Sequence, residues 1–191
     1  TAMTYLDNLA EHGLYQPDFE RDNCGFGLIA QMDGRSSHWL VETAITALGR
    51  MTHRGAIGAD GKTGDGCGLL LRQPEGFLRR AAEESGLSLR SEFATGIVFL
   101  SNEESKANAA REALNNALDE RGLEVNGWRV VPTNLSACGD EARSSVPRIE
   151  QIFVSATEEM DSAEFNRHLF VARRRAEIQV TPNDSDFYVC S

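Results

Sequence analysis

Two stretches of the chain hold residue types able to do chemistry. Cys24 stands between the charged run Glu20-Arg21-Asp22-Asn23 and the run that opens Gly25-Phe26-Gly27. A thiol at the head of a strand, with glycines beside it, leaves room for a substrate to approach sulfur. The chemistry it offers is nucleophilic attack through the thiolate. The competing reading is a packed core thiol, because free cysteine is among the most buried residue types. The second stretch is the glycine-rich loop from Gly55 to Gly66, with its flanks from His53 to Gly68. Gly61-Lys62-Thr63 looks like the end of a phosphate-binding P-loop. That pattern needs glycine at position 56, where Ala56 stands, and Asp60 and Asp65 would repel phosphates. The loop therefore reads either as a tight structural turn that uses glycine's positive φ, or as backbone lining a site. Cys24, Cys67, Cys138 and Cys190 form no CxxC pair and fit no simple zinc pattern. A thiol redox or metal-binding domain thus draws little support, and no metal site is expected.

These residues need elements to hold them. Gly25 to Met32 reads as a strand, with Phe26, Leu28, Ile29 and Ala30 apolar, and Asp33-Gly34 as a turn. Ser36 or Ser37 caps a helix running to about His53, whose apolar face is Leu40, Val41, Ala44, Ile45, Leu48 and Met51. Cys67 to Leu71 reads as a short buried strand. Pro74 starts a helix that Gly86 ends. Phe93 to Leu100 is a strand, and Ser101 with Glu104 has capping-box spacing. The helix that follows carries Ala107, Ala110, Leu114 and Leu118 on one face and closes before Gly122. Leu123 to Val131 and Ile149 to Ser155 read as strands, separated by a long polar loop from Pro132 to Pro147. Ser162 to Ile178 is a helix, and Phe187 to Cys190 starts a strand. Before all of these, residues 1–23 form a polar leader with a helical turn around Tyr5 to Glu11. Helices alternating with strands favour βαβ units and a parallel sheet on local pattern alone.

The formal net charge of −10 over 191 residues excludes a general nucleic-acid binder and an anionic-membrane binder, both of which need clustered Lys and Arg. No apolar run approaches the ~20 residues of a membrane span. Widely spaced cysteines in a chain of this size suit a reducing cytoplasm. The chain opens on Thr1 rather than Met and closes inside the apolar run Phe187–Cys190. Half a strand leaves its neighbour's ladder unpaired, so the expectation is a polypeptide that continues.

Asp22-Asn23-Cys24-Gly25-Phe26-Gly27-Leu28-Ile29-Ala30 resembles the start of the glutaminase domain of the glutamate synthase large subunit. Met51-Thr52-His53-Arg54-Gly55, followed by Ala59 to Gly68, is similar to that family's second signature. Pro147-Arg148-Ile149-Glu150-Gln151-Ile152-Phe153 and Ala172-Arg173-Arg174-Arg175 extend the likeness, which runs from about Gly13 onward. The resemblance implies an α+β, N-terminal-nucleophile hydrolase fold. That fold is a four-layer αββα sandwich with largely antiparallel sheets, incomplete in this chain. It divides the chain into a leader, 1–23, and the N-terminal part of a glutamine amidotransferase domain, 24–191. It implies that Cys24 is the nucleophile once the leader is removed, with its own α-amine as general base. Arg54, Gly55 and Gly25 would position nucleophile and substrate, and Asp60, Lys62 and Asp65 would support the loop.

The same resemblance implies partners and cofactors outside this stretch. Glutamine is the substrate, and ammonia passes to synthase domains of the same chain. There FMN and a 3Fe-4S cluster work, with NADPH electrons arriving through a small flavoprotein subunit. The sequence departs from the family pattern in two ways. Cys24 is preceded by a leader and so has no free amine. The family's substrate-carboxylate arginine, its oxyanion-hole Asn-Gly pair and its substrate-amine aspartate fall past residue 191. The chain as written is therefore expected to be inactive, and a catalytically incompetent binding or regulatory fragment of the same fold is the alternative.

Overall fold

A computed structural model describes residues 25–51, 57–64 and 66–190. The chain divides into two compact units, 1–69 and 70–191.

In the first unit, residues 25–31 are irregular rather than the expected strand. Phe26, Leu28 and Met32 are 93%, 88% and 99% exposed. A strand persists only where its N–H and C=O groups find a ladder, and no strand lies beside this run among the described residues. The Asp33-Gly34 turn forms, with Gly34 at φ +70° and its N–H donating to the Gln31 carbonyl. Ser37 caps the helix that follows, its Oγ accepting from the Leu40 amide at 3.2 Å. This helix, α1, spans His38–Gly49 and stops short of His53 at its own glycine. None of its residues is buried, so its apolar face has no core to join among the described residues. Cys67 to Leu71, read as a buried strand, is likewise irregular and exposed, for the same want of a pairing partner.

The second unit is built on one sheet. Helix α2, Glu75–Glu84, begins after Pro74. It ends in a Schellman motif, in which the Gly86 amide donates to the Glu83 carbonyl and the Leu87 amide to the Ala82 carbonyl. Gly86 takes φ +73°, which a side chain would resist. Then follow β1 (Phe93–Leu100), α3 (Glu104–Asp119), β2 (Leu123–Val130), a 3-10 turn (Leu135–Ala137), α4 (Asp140–Ser145), β3 (Arg148–Ala156), α5 (Ser162–Val180) and β4 (Tyr188–Cys190). The expected capping box at Ser101 and Glu104 does not form. The cap position falls on Glu103, and Ser101 Oγ instead accepts from the Glu103 amide. The polar stretch Pro132–Pro147 is not all loop. Asp140 and Glu141 sit in the first turn of α4, where carboxylates favour a helix start.

Strand order is β2-β3-β1-β4, and every pairing is antiparallel. This sheet is not the parallel one favoured by local pattern, for a topological reason. Helix α3 links β1 to β2, and α5 links β3 to β4, but each linked pair has one antiparallel strand inserted between its members. The result is the split βαβ arrangement of ferredoxin-like domains. The unit is thus α+β.

Alternation along the strands sorts side chains to two faces. Val98, Leu100, Ile152 and Val154 pack with Ala107, Ala110, Leu114 and Leu118 of α3 and with Phe165, Ala172 and Ala176 of α5. Phe93 and Phe153 point the other way and meet Leu78 and Ala82 of α2, with Leu87 and Leu89 beside them. Arg79 holds this corner. Its guanidinium lies 4.7 Å from the Phe93 ring centre and donates to the Arg90 and Ser91 carbonyls. A bulge between Val125 and Gly127 shifts the β2–β3 register. It brings the Asn126 side chain to Ser155, whose hydroxyl donates to Asn126 Oδ1 at 2.7 Å.

Candidate functional site

Of the residues singled out from sequence, Cys24, Arg54, Gly55 and Asp65 lie outside the described residues. Gly25 stands exposed at the start of the irregular run. Asp60 and Lys62 lie together in a small hairpin. Ile57 and Gly64 form its isolated antiparallel bridge, and the Gly58 amide donates to the Thr63 carbonyl at 2.6 Å. Gly61, at φ +68°, makes the reversal that a side chain would strain. The Asp60 carboxylate organises the tip: its Oδ1 accepts from the Lys62 amide at 2.9 Å and the Thr63 amide at 2.7 Å, and its Oδ2 from the Thr63 hydroxyl. The carboxylate thereby receives donors that a phosphate-binding loop would turn toward its ligand, consistent with rejecting the P-loop reading. Lys62 contributes its backbone amide to this turn, and its side chain is exposed.

The two later motifs fall on β3 and α5, where their roles differ. In the Pro147–Phe153 segment, residues alternate between two networks. Glu150 is buried and grips Arg111 of α3 through two hydrogen bonds, Nε to Oε2 at 2.8 Å and Nη2 to Oε1 at 2.6 Å. The Glu150 carboxylate raises the Arg111 pKa above its ordinary value. Arg148 reaches Glu104 at 2.7 Å, and that hydrogen bond holds the Glu104 carboxyl below the ordinary carboxylate value. On the opposite face the buried Gln151 donates to the Thr95 hydroxyl at 2.8 Å and accepts from Arg129 Nε at 2.7 Å. The Thr95 hydroxyl donates in turn to the Ile152 carbonyl. Phe153 is fully buried.

In the Ala172–Arg175 segment, Ala172 is fully buried against the sheet. Arg174 pairs with Glu177, and Arg175 pairs with Glu120 at the end of α3. Glu150 and Arg148 tie the sheet to α3, and Arg175 ties α5 to the end of α3, so the charged groups of these motifs are engaged in holding the unit together. Sequence reading did not single out Arg111, Thr95 or Arg129. The available signal was Glu150-Gln151, two polar residues set between Ile149 and Ile152 in a strand, which must find buried partners on both faces.

Among the described residues no three His, Cys, Asp or Glu side chains converge as metal ligands. Cys67, Cys138 and Cys190 are free thiols. The described residues therefore do not fit an iron–sulfur ligand set. No helix among them is long and apolar enough to cross a membrane.

A family model described as glutamine amidotransferases class-II matches residues 24–191. The chain is 36% identical over 190 residues to the glutamate synthase [NADPH] large chain of Bacillus subtilis (strain 168), covering 99% of this chain and 12% of that protein. It is 37% identical over 180 residues to the protein of the same name from Azospirillum brasilense, covering 93% and 12%. To the ferredoxin-dependent glutamate synthase 2 of Synechocystis it is 38% identical over 174 residues, covering 90% and 11%. The chain thus spans only 11–12% of the length of these relatives.

Proposed function

Because the chain belongs to the class-II glutamine amidotransferases, we propose that it is the glutamine-hydrolysing part of a glutamate synthase and that Cys24 is its nucleophile. The observation carrying this reading is the start of the family match at Cys24 itself. With residues 1–23 removed, the cysteine gains a free α-amine, whose ordinary pKa of about 7.7–8.0 suits a general base near neutrality. That amine takes the Sγ proton, directly or through a water. The thiolate attacks the side-chain amide carbon of glutamine. As the tetrahedral intermediate collapses, the C–N bond breaks and nitrogen leaves as ammonia, carrying the proton the amine had held. Water then adds to the γ-glutamyl thioester, the thiol is expelled, and glutamate is released.

Arg54 positions the cysteine and the substrate pocket, and Gly25 and Gly55 leave space for close approach. Asp60, Lys62 and Asp65 hold the loop that carries this backbone. The Asp60 turn supports that assignment, since its carboxylate accepts from the Lys62 and Thr63 amides and the Thr63 hydroxyl. In this reading residues 24–191 are the N-terminal part of a four-layer αββα domain. The antiparallel sheet with α3 and α5 on one face supports it. Donors for the oxyanion, each worth about 2.7–4 kcal/mol of barrier, then come from later segments of the domain. So do the residues that grip the substrate's carboxylate and amine.

In the complete enzyme, ammonia is added to 2-oxoglutarate in synthase domains of the same chain, which sit in the cytoplasm and hold FMN and a 3Fe-4S cluster. NADPH supplies electrons through a small flavoprotein subunit. The NADPH-named and ferredoxin-named relatives share similar identity with this chain, 36–38%. A direct assay with each donor therefore decides that part of the reading.

The test of the nucleophile uses the full-length enzyme. Cys24→Ala should abolish glutamine-dependent glutamate synthesis and leave ammonia-dependent synthesis intact, and the intact mass of the mature protein should begin at Cys24. Full glutamine-dependent activity in Cys24→Ala would overturn the reading.

A further inference from the structure

We draw no further inference here: the strongest candidate, the half-exposed face of the second unit's sheet around Arg129, Gln151, Ile97, Phe99 and Tyr188, is an unpartnered face, and nothing in the structure shows what covers it.

Discussion

Replacing Arg111 by methionine should cost the second unit about 3–5 kcal/mol, the usual penalty for leaving a buried charge without its partner. The stranded group is Glu150, whose side chain is only 6% exposed and whose two oxygens are both held by Arg111. The reverse change is gentler. With Glu150→Leu, Arg111 keeps Asn108 Oδ1 at 2.6 Å and Glu104 at 3.7 Å, and is itself 19% exposed. Loss of the charged hydrogen bonds then costs about 1.5–3 kcal/mol. The ordering sharpens in the double variant. Once Arg111 is methionine, converting Glu150 to leucine removes the stranded carboxylate, so the second substitution should restore stability.

Urea unfolding, read by Trp128 fluorescence in a Trp39→Phe background, isolates this unit. Trp128 is half-buried with its indole N–H on Asn115, whereas Trp39 is exposed in the first unit. The reasoning fails if Arg111→Met costs under about 1 kcal/mol, or if adding Glu150→Leu to it lowers stability further.

Gly127→Ala should cost about 1–3 kcal/mol by overpacking, because an added Cβ would lie 2.4 Å from a Leu87 methyl and the residue holds φ +154°. The same urea series should give a smaller cost in a Leu87→Ala background. Asp60→Ala should open the hairpin tip, and hydrogen exchange at the Lys62 and Thr63 amides should quicken while the amides of β1 stay protected. Glu104, whose folded pKa is held below the ordinary 4.5 chiefly by Arg148, contributes stability that is present above that value and lost as pH falls through the lowered one. Glu104→Gln should therefore lower stability in the neutral region, leave the most acidic region unchanged, and so flatten the acid limb of the stability–pH curve below pH 4.5. Unaltered acid sensitivity in Glu104→Gln would remove that assignment.

What could be read from sequence follows from where each element finds its support. Phe93–Leu100, Leu123–Val130 and the long helices carry their own periodicity and pair within one unit, so pattern located them to within a residue or two. Gly25–Met32 and Cys67–Leu71 have strand composition but no ladder beside them among the described residues, and composition alone does not make a strand. Strand order was invisible to local pattern, because nothing in β1–α3–β2 says that β3 will insert between the strands. The resemblance, not periodicity, pointed to antiparallel pairing. At the candidate site, the Asp60 turn follows from Asp, Gly and Thr at fixed offsets. The partners of Glu150 and Gln151 are long-range, and no spacing along the chain encodes them.

The strand order also sets a schedule for synthesis. β1 is the first of this sheet's strands to be made, yet its two neighbours are β3 and β4, the last two. At about 5–20 residues per second, the ribosome leaves it several seconds without either flank. During that interval Phe-Ala-Thr-Gly-Ile-Val-Phe-Leu has no proline, lysine or other charge to guard it. Helix α3, emerging next with its buried alanine and leucine stripe, can cover only one of its faces. This unit therefore depends on holding an aggregation-prone segment in solution until β3 arrives to close the sheet.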